Sequence, residues 1–85
     1  MKEFKYSITD ADGLHARPAG QLVKFAKTLG SKITVVKGEK SAEATKLMAI
    51  MGMSVKQGQE VTVRVEGENE EADFELTRQF FEEHM

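Results

Sequence analysis

Two histidines and no cysteine occur in the chain, so candidates for nucleophilic or ligating chemistry are few. His15 lies in "DADGLHARPAGQLVKF", Asp10 to Phe25, just ahead of Arg17 and Pro18. If a helix begins at Ala16, His15 is its flanking N-cap residue. The first amides of a helix have no internal partner, and the dipole makes that end partly positive. Pro18 then falls in the first turn, where its missing N–H costs little and its fixed φ suits the helix. The free amides of Ala16 and Arg17, with the Arg17 guanidinium, would surround an anion beside the imidazole. The lone pair of a neutral imidazole can attack phosphorus, and the amides and Arg17 would then hold the phosphoryl dianion. Phosphohistidine is labile, which suits a group that is passed on. On the residues alone a second reading stands equally: His15 caps a helix and Arg17 is a solvated charge.

The flanking pattern supplies the elements that must position this segment. Phe4, Tyr6 and Ile8 alternate with Lys5, Ser7 and Thr9, which predicts a half-buried strand, and "DADG" supplies turn residues ending at Gly13. Ala19, Leu22, Val23, Ala26 and Leu29 recur at helical spacing, with Lys24 and Lys27 opposite and Gly30 as a stop. "KITVVK", Lys32 to Lys37, reads as a second strand, with a tight turn at Gly38 and a short third strand over Lys40 to Ala44. "KLMAIMG", Lys46 to Gly52, reads as a short helix. Val61, Val63 and Val65 alternate with Thr62 and Arg64 in a further strand. Asn69 is placed to cap a last helix whose first turn carries Glu70 and Glu71. Its apolar residues, Ala72, Phe74, Leu76, Phe80 and Phe81, spread beyond one stripe, so one phenylalanine is expected to be partly exposed. The order is βαββαβα, an α+β pattern. A four-stranded antiparallel sheet with helices on one face buries these surfaces in a single domain over residues 1–85.

Composition narrows the function classes. Twelve Lys and Arg stand against fourteen Asp and Glu, a net charge of -2, which gives no global basic field for nucleic acid. The absence of cysteine removes a disulfide scaffold or thiolate zinc site and fits a reducing compartment. "MKEFKYSITD" has no apolar leader core, and no apolar run is long enough to span a bilayer. A soluble, cytoplasmic domain is expected, without metal or membrane insertion.

"GLHARPA", Gly13 to Ala19, closely resembles the active-site motif of HPr, the histidine-containing phosphocarrier family of the phosphoenolpyruvate-dependent sugar phosphotransferase system. The resemblance extends along the chain through "KLMAIMGMSVKQGQEVTV" and the acidic helix after it. It implies an HPr-like open-faced β-sandwich and phosphorylation of His15 on its δ1 nitrogen by phospho-Enzyme I. The group would pass to a histidine of an Enzyme IIA domain, and Arg17 matches the arginine that attends the phosphoryl group. It further implies a carrier without cofactor, rather than a stand-alone catalyst, and a monomer is expected.

Leu47, Met48 and Met51 fall where the family presents an apolar patch to donor and acceptor. Methionine suits a surface that fits several partners. All three cannot point inward from one short helix, so a division between core and docking face is expected. Lys24 and Lys27 are candidates to steer acidic partners, or are simply a solvated face. Position 46 departs from a branch of the family: Lys46 stands where many relatives from Gram-positive bacteria have a regulatory serine. Lysine has no hydroxyl to phosphorylate, so serine-type regulation is expected to be absent, although Thr45 could cap the helix. Ser54 and Gly20 also depart from common residues, and nothing in the sequence ties either to the chemistry. His84 reads as a solvated chain end.

Three rival readings carry distinct tests. A carrier of a regulatory, nitrogen-related phosphorelay would share the motif and differ in its donor. A sheet-surface RNA module would need exposed strand aromatics, and Val61–Val65 has none. A pure protein-binding module would use Leu47–Met51 and leave His15 unmodified.

Overall fold

The computed structural model describes residues 1–85. Its elements are β1 (Lys2–Ser7), α1 (Ala16–Ala26), β2 (Lys32–Lys37), β3 (Lys40–Glu43), α2 (Leu47–Gly52), β4 (Glu60–Glu66) and α3 (Glu70–His84). The four strands form one antiparallel sheet in the order β1-β4-β2-β3. The sequence pattern sets the register. Val63 of β4 stands between Phe4 and Val35, and Val65 stands opposite Ile33, so every inward residue of the central strands meets another. Val61, Val63, Val65, Ile33 and Val35 are fully buried against Ala19, Leu22 and Ala26 of α1, Ile50 of α2 and Phe81 of α3. The alternate residues, such as Arg64 and Thr62, leave the other face open.

Differences from the expected boundaries have local causes. α1 stops at Ala26 rather than continuing to Leu29, because Thr28 and Leu29 take tighter bonds to Phe25 and Ala26. The Thr28 hydroxyl also donates to the Phe25 carbonyl at 2.7 Å, drawing it from the helical ladder. β3 ends at Glu43, and Lys46 occupies the N-cap position of α2 instead of its first turn.

α3 has no tidy apolar stripe because its inner face is partly polar. Asp73 and Thr77 are buried. Asp73 accepts from the Ser31 amide at 3.1 Å, and Thr77 donates its hydroxyl to the Asp73 carbonyl at 2.6 Å. Of the phenylalanines, Phe81 is fully buried and packs edge-on against Phe4 and Tyr6. Phe74 and Phe80 are half-buried, and Leu76 is 48% exposed. Asn69 stands at the N-cap but makes no capping bond; its amide donates to Asp73 Oδ1 at 3.4 Å instead. No helix is long and apolar enough to cross a membrane.

Candidate functional site

The segment from Ile8 to His15 is held at successive points before it reaches α1. Ile8 exchanges backbone bonds with Gln59 and Gly58 at 3.0 and 2.8 Å, extending the sheet contact past Ser7. Thr9 and Asp10 donate their amides to the Met85 carbonyl at 2.7 and 2.9 Å. Asp10 then closes the turn, accepting from the Asp12 amide through its side chain and from the Gly13 amide through its carbonyl.

Gly13 has φ +63 and lies so close to the α2–β4 loop that a Cβ would sit 2.1 Å from the Val55 carbonyl oxygen. No side chain fits there. Leu14 follows fully buried, donating its amide to that same carbonyl at 3.0 Å. Buried Leu14 on one side and buried Pro18 on the other leave His15, Ala16 and Arg17 as an exposed arch between two anchors.

His15 is extended (φ −138°, ψ 159°) and its side chain makes no capping bond. The ring is exposed and available. Ala16 is not in ordinary helical geometry: its φ is +51, a left-handed conformation that costs a non-glycine residue about 1–2 kcal/mol. A left-handed residue beside a right-handed one turns successive N–H groups toward one point, an arrangement suited to anions. The amides of Ala16 and Arg17 donate to no protein acceptor. Arg17 is exposed and engaged in no ion pair.

The fold separates residues that are close in sequence and assembles others that are not. His15 opens onto a depression of about 310 Å³ lined also by Asp12, Met51, Ser54, Val55 and Lys56. Arg17 opens onto a neighbouring groove of about 410 Å³ between α1 and α2, with Gly20, Gln21, Val23, Lys24 and Leu47. The two depressions flank the start of α1. Lys24 therefore lies in the groove beside Arg17, whereas Lys27 lines neither depression. Gly20 lines the groove, where an added Cβ would meet nothing within 4 Å.

The short helix divides as its spacing requires. Ile50 and Met53 are buried, Met51 is half-buried beside His15, and Leu47 and Met48 are 40% and 77% exposed. Thr45 does not cap this helix, because its hydroxyl donates to Glu43 Oε2 at 2.7 Å. Lys46 is exposed and likewise makes no capping bond.

Ser54 is the residue that sequence reasoning set aside and the structure returns to the site. It lines the depression with His15 in a left-handed conformation, φ +55. Asp12 and Lys56 join it there without any motif to announce them. Gly13, at positive φ and pressed against Val55 of the other loop, was the available signal of a close approach here. His84 stays outside the site; its ring is tilted against Phe80, centroids 4.8 Å apart. No cluster of three or more His, Asp or Glu side chains is arranged to hold a metal.

Comparison with known proteins agrees with this geometry. The family described as the PTS HPr component phosphorylation site matches residues 2–83. The phosphocarrier protein HPr of Lysinibacillus sphaericus is 43% identical over 75 residues, covering 88% of this chain and 85% of that one. That of Haemophilus influenzae is 44% identical over 64 residues, covering 75% of each. Among solved structures, HPr from Thermoanaerobacter tengcongensis superposes with a TM-score of 0.90 at 38% identity, covering 96% of this chain and 92% of that one. Sequence, sheet order and the exposed histidine ahead of α1 converge, and the chain belongs to the HPr family of phosphocarriers of the phosphotransferase system.

Proposed function

We propose that His15 is the phosphoryl acceptor of this carrier, receiving the group from phospho-Enzyme I and passing it to Enzyme IIA domains during phosphoenolpyruvate-dependent sugar uptake in the cytoplasm. One observation carries the reading: an exposed histidine without a capping bond is followed in the chain by two unpartnered amides, those of Ala16 and Arg17, and the Arg17 side chain makes no ion pair. The Nδ1 lone pair attacks phosphorus in line, a new N–P bond forms, and the donor's bond to phosphorus breaks with its electron pair. The amides of Ala16 and Arg17 and the Arg17 guanidinium then hold the phosphoryl oxygens. Attack by an acceptor histidine reverses these changes.

Leu47, Met48 and Met51, with Lys24, form the docking surface around this centre in the proposal. Lys27, one helical turn further along α1, contributes charge at its margin. Lys46 leaves position 46 without a hydroxyl, so a kinase directed at a serine there leaves the protein unmodified. Acid-resistant phosphate on residues 45–52 would overturn that statement.

The test is phosphoryl uptake with purified Enzyme I and phosphoenolpyruvate. Acid-labile phosphate is expected on His15 and none on His15→Ala. Labelling of the alanine variant, or no labelling of the wild type, overturns the assignment.

A further inference from the structure

Lys37 ends β2 and reaches the α2–β4 loop, where its ammonium is fully engaged. Nζ donates to the Ser54 carbonyl at 3.2 Å, the Met53 carbonyl at 3.4 Å and Gln59 Oε1 at 3.1 Å. An ammonium has three donors, and each has an acceptor here. Two of the three are carbonyls at the C-terminal end of α2, where a cation complements both the unsatisfied oxygens and the dipole. The third links Lys37 to the far side of the loop, since Gln59 Oε1 also accepts from the Lys56 amide at 2.9 Å.

These bonds surround the wall of the His15 depression. Ser54, Val55 and Lys56 are that wall. Lys37 holds the carbonyl of the first, and through Gln59 the amide of the third. The residue between them, Val55, accepts from Leu14 at 3.0 Å, and Leu14 is bonded directly to His15 in the chain. The left-handed backbone of Ser54 has a cost of its own, and persists only where its surroundings hold it. Lys37 supplies that hold from the rigid central sheet.

We infer that Lys37 is a positioning residue for phosphoryl acceptance: it fixes the Met53–Gln59 loop against Leu14 and so sets where His15 stands. The inference rests on His15 being the acceptor. Lys37 touches neither the ring nor the incoming group, so its removal affects the reacting geometry rather than the chemistry of nitrogen. Misplacement of reacting groups by a fraction of an ångström is costly in rate.

The test compares wild type, Lys37→Met, which keeps most of the apolar stem, and Lys37→Arg. Phosphoryl uptake is measured over a range of phospho-Enzyme I concentrations up to saturation, with amide hydrogen exchange on the same samples. Lys37→Met is expected to lower the saturating rate on the order of 10-fold, with an unchanged KM for the donor. The Leu14 and Lys56 amides should exchange faster, while Val35 and Val63 in the sheet keep their protection. Lys37→Arg, which can again donate to both carbonyls, should recover the rate to within about 3-fold of wild type. An unchanged rate in Lys37→Met overturns the positioning role. So does a rate that falls together with sheet protection, since that marks general destabilisation. Failure of the wild type itself to take phosphate overturns the functional reading, a result separate from both.

Discussion

The amide of Leu14 donates to the carbonyl of Val55 at 3.0 Å, joining two loops that lie far apart in the chain immediately before the exposed histidine. Both residues are buried. The bond thus works out of water, where an unmet amide would cost about 1–3 kcal/mol. His15, Ala16 and Arg17 stand exposed beyond it, while the backbone leading to them is hydrogen-bonded at Ile8, Thr9, Asp10, Gly13 and Leu14.

Gly13 is the position that permits this approach. Gly13→Ala places a methyl 2.1 Å from the Val55 carbonyl oxygen and keeps a residue at φ +63, whereas Gly38→Ala has a similar φ of +60 and nothing within 4 Å. Gly38→Ala should therefore lose only the backbone term, about 1 kcal/mol. Gly13→Ala should lose that and the steric cost, about 3 kcal/mol in all. Urea midpoints of the two variants check this; equal losses would show that the loops can part without cost.

Arg17 offers the opposite behaviour. It is exposed and unpaired, so Arg17→Ala should change stability by no more than about 0.5 kcal/mol. The phosphoryl transfer rate should fall on the order of 100-fold, as for loss of one preorganised charge partner of a developing anion. Paired denaturation and transfer measurements decide it, and a stability loss matching the rate loss would assign Arg17 a structural role.

Acid sensitivity should have one contributor at the far end of the molecule. Glu70 receives the Met1 amine at 2.7 Å, and this hydrogen bond, aided by the Gly67 amide, holds its carboxyl below the ordinary range. Folded Glu70 binds its proton more weakly than unfolded Glu70 does. Its contribution is therefore complete above the ordinary carboxylate range and disappears as pH falls through the lowered folded value. Glu70→Gln should flatten that part of the acid limb, by an amount that shrinks with added salt. NMR titration of the Glu70 carboxyl checks the direction.

Most of the fold was legible because its determinants are local. Alternation in Val61–Val65 and the β-branched run of Lys32–Lys37 predicted strands, and the helical spacing from Ala19 to Ala26 predicted which side of α1 faces them. In α3, whose apolar residues spread beyond one stripe, buried Asp73 and Thr77 take places on the inner face. Asp73 is met by the Ser31 amide, 42 residues earlier, and no window along the helix contains that information.

The site divides along the same line. "GLHARPA" by itself supplied the candidate nucleophile, the proline-stabilised helix start and the nearby guanidinium, because these are consequences of residue type within a few positions of chain. Tertiary structure alone decided that His15 and Arg17 open onto different depressions and that Ala16 turns left-handed between the buried anchors Leu14 and Pro18. It also brought Ser54 and Lys56 beside the ring and set Lys37 behind them. Each of those outcomes is a packing contact between segments distant in sequence. Their energy exists only once the sheet has closed and the α2–β4 loop has met the turn at Gly13.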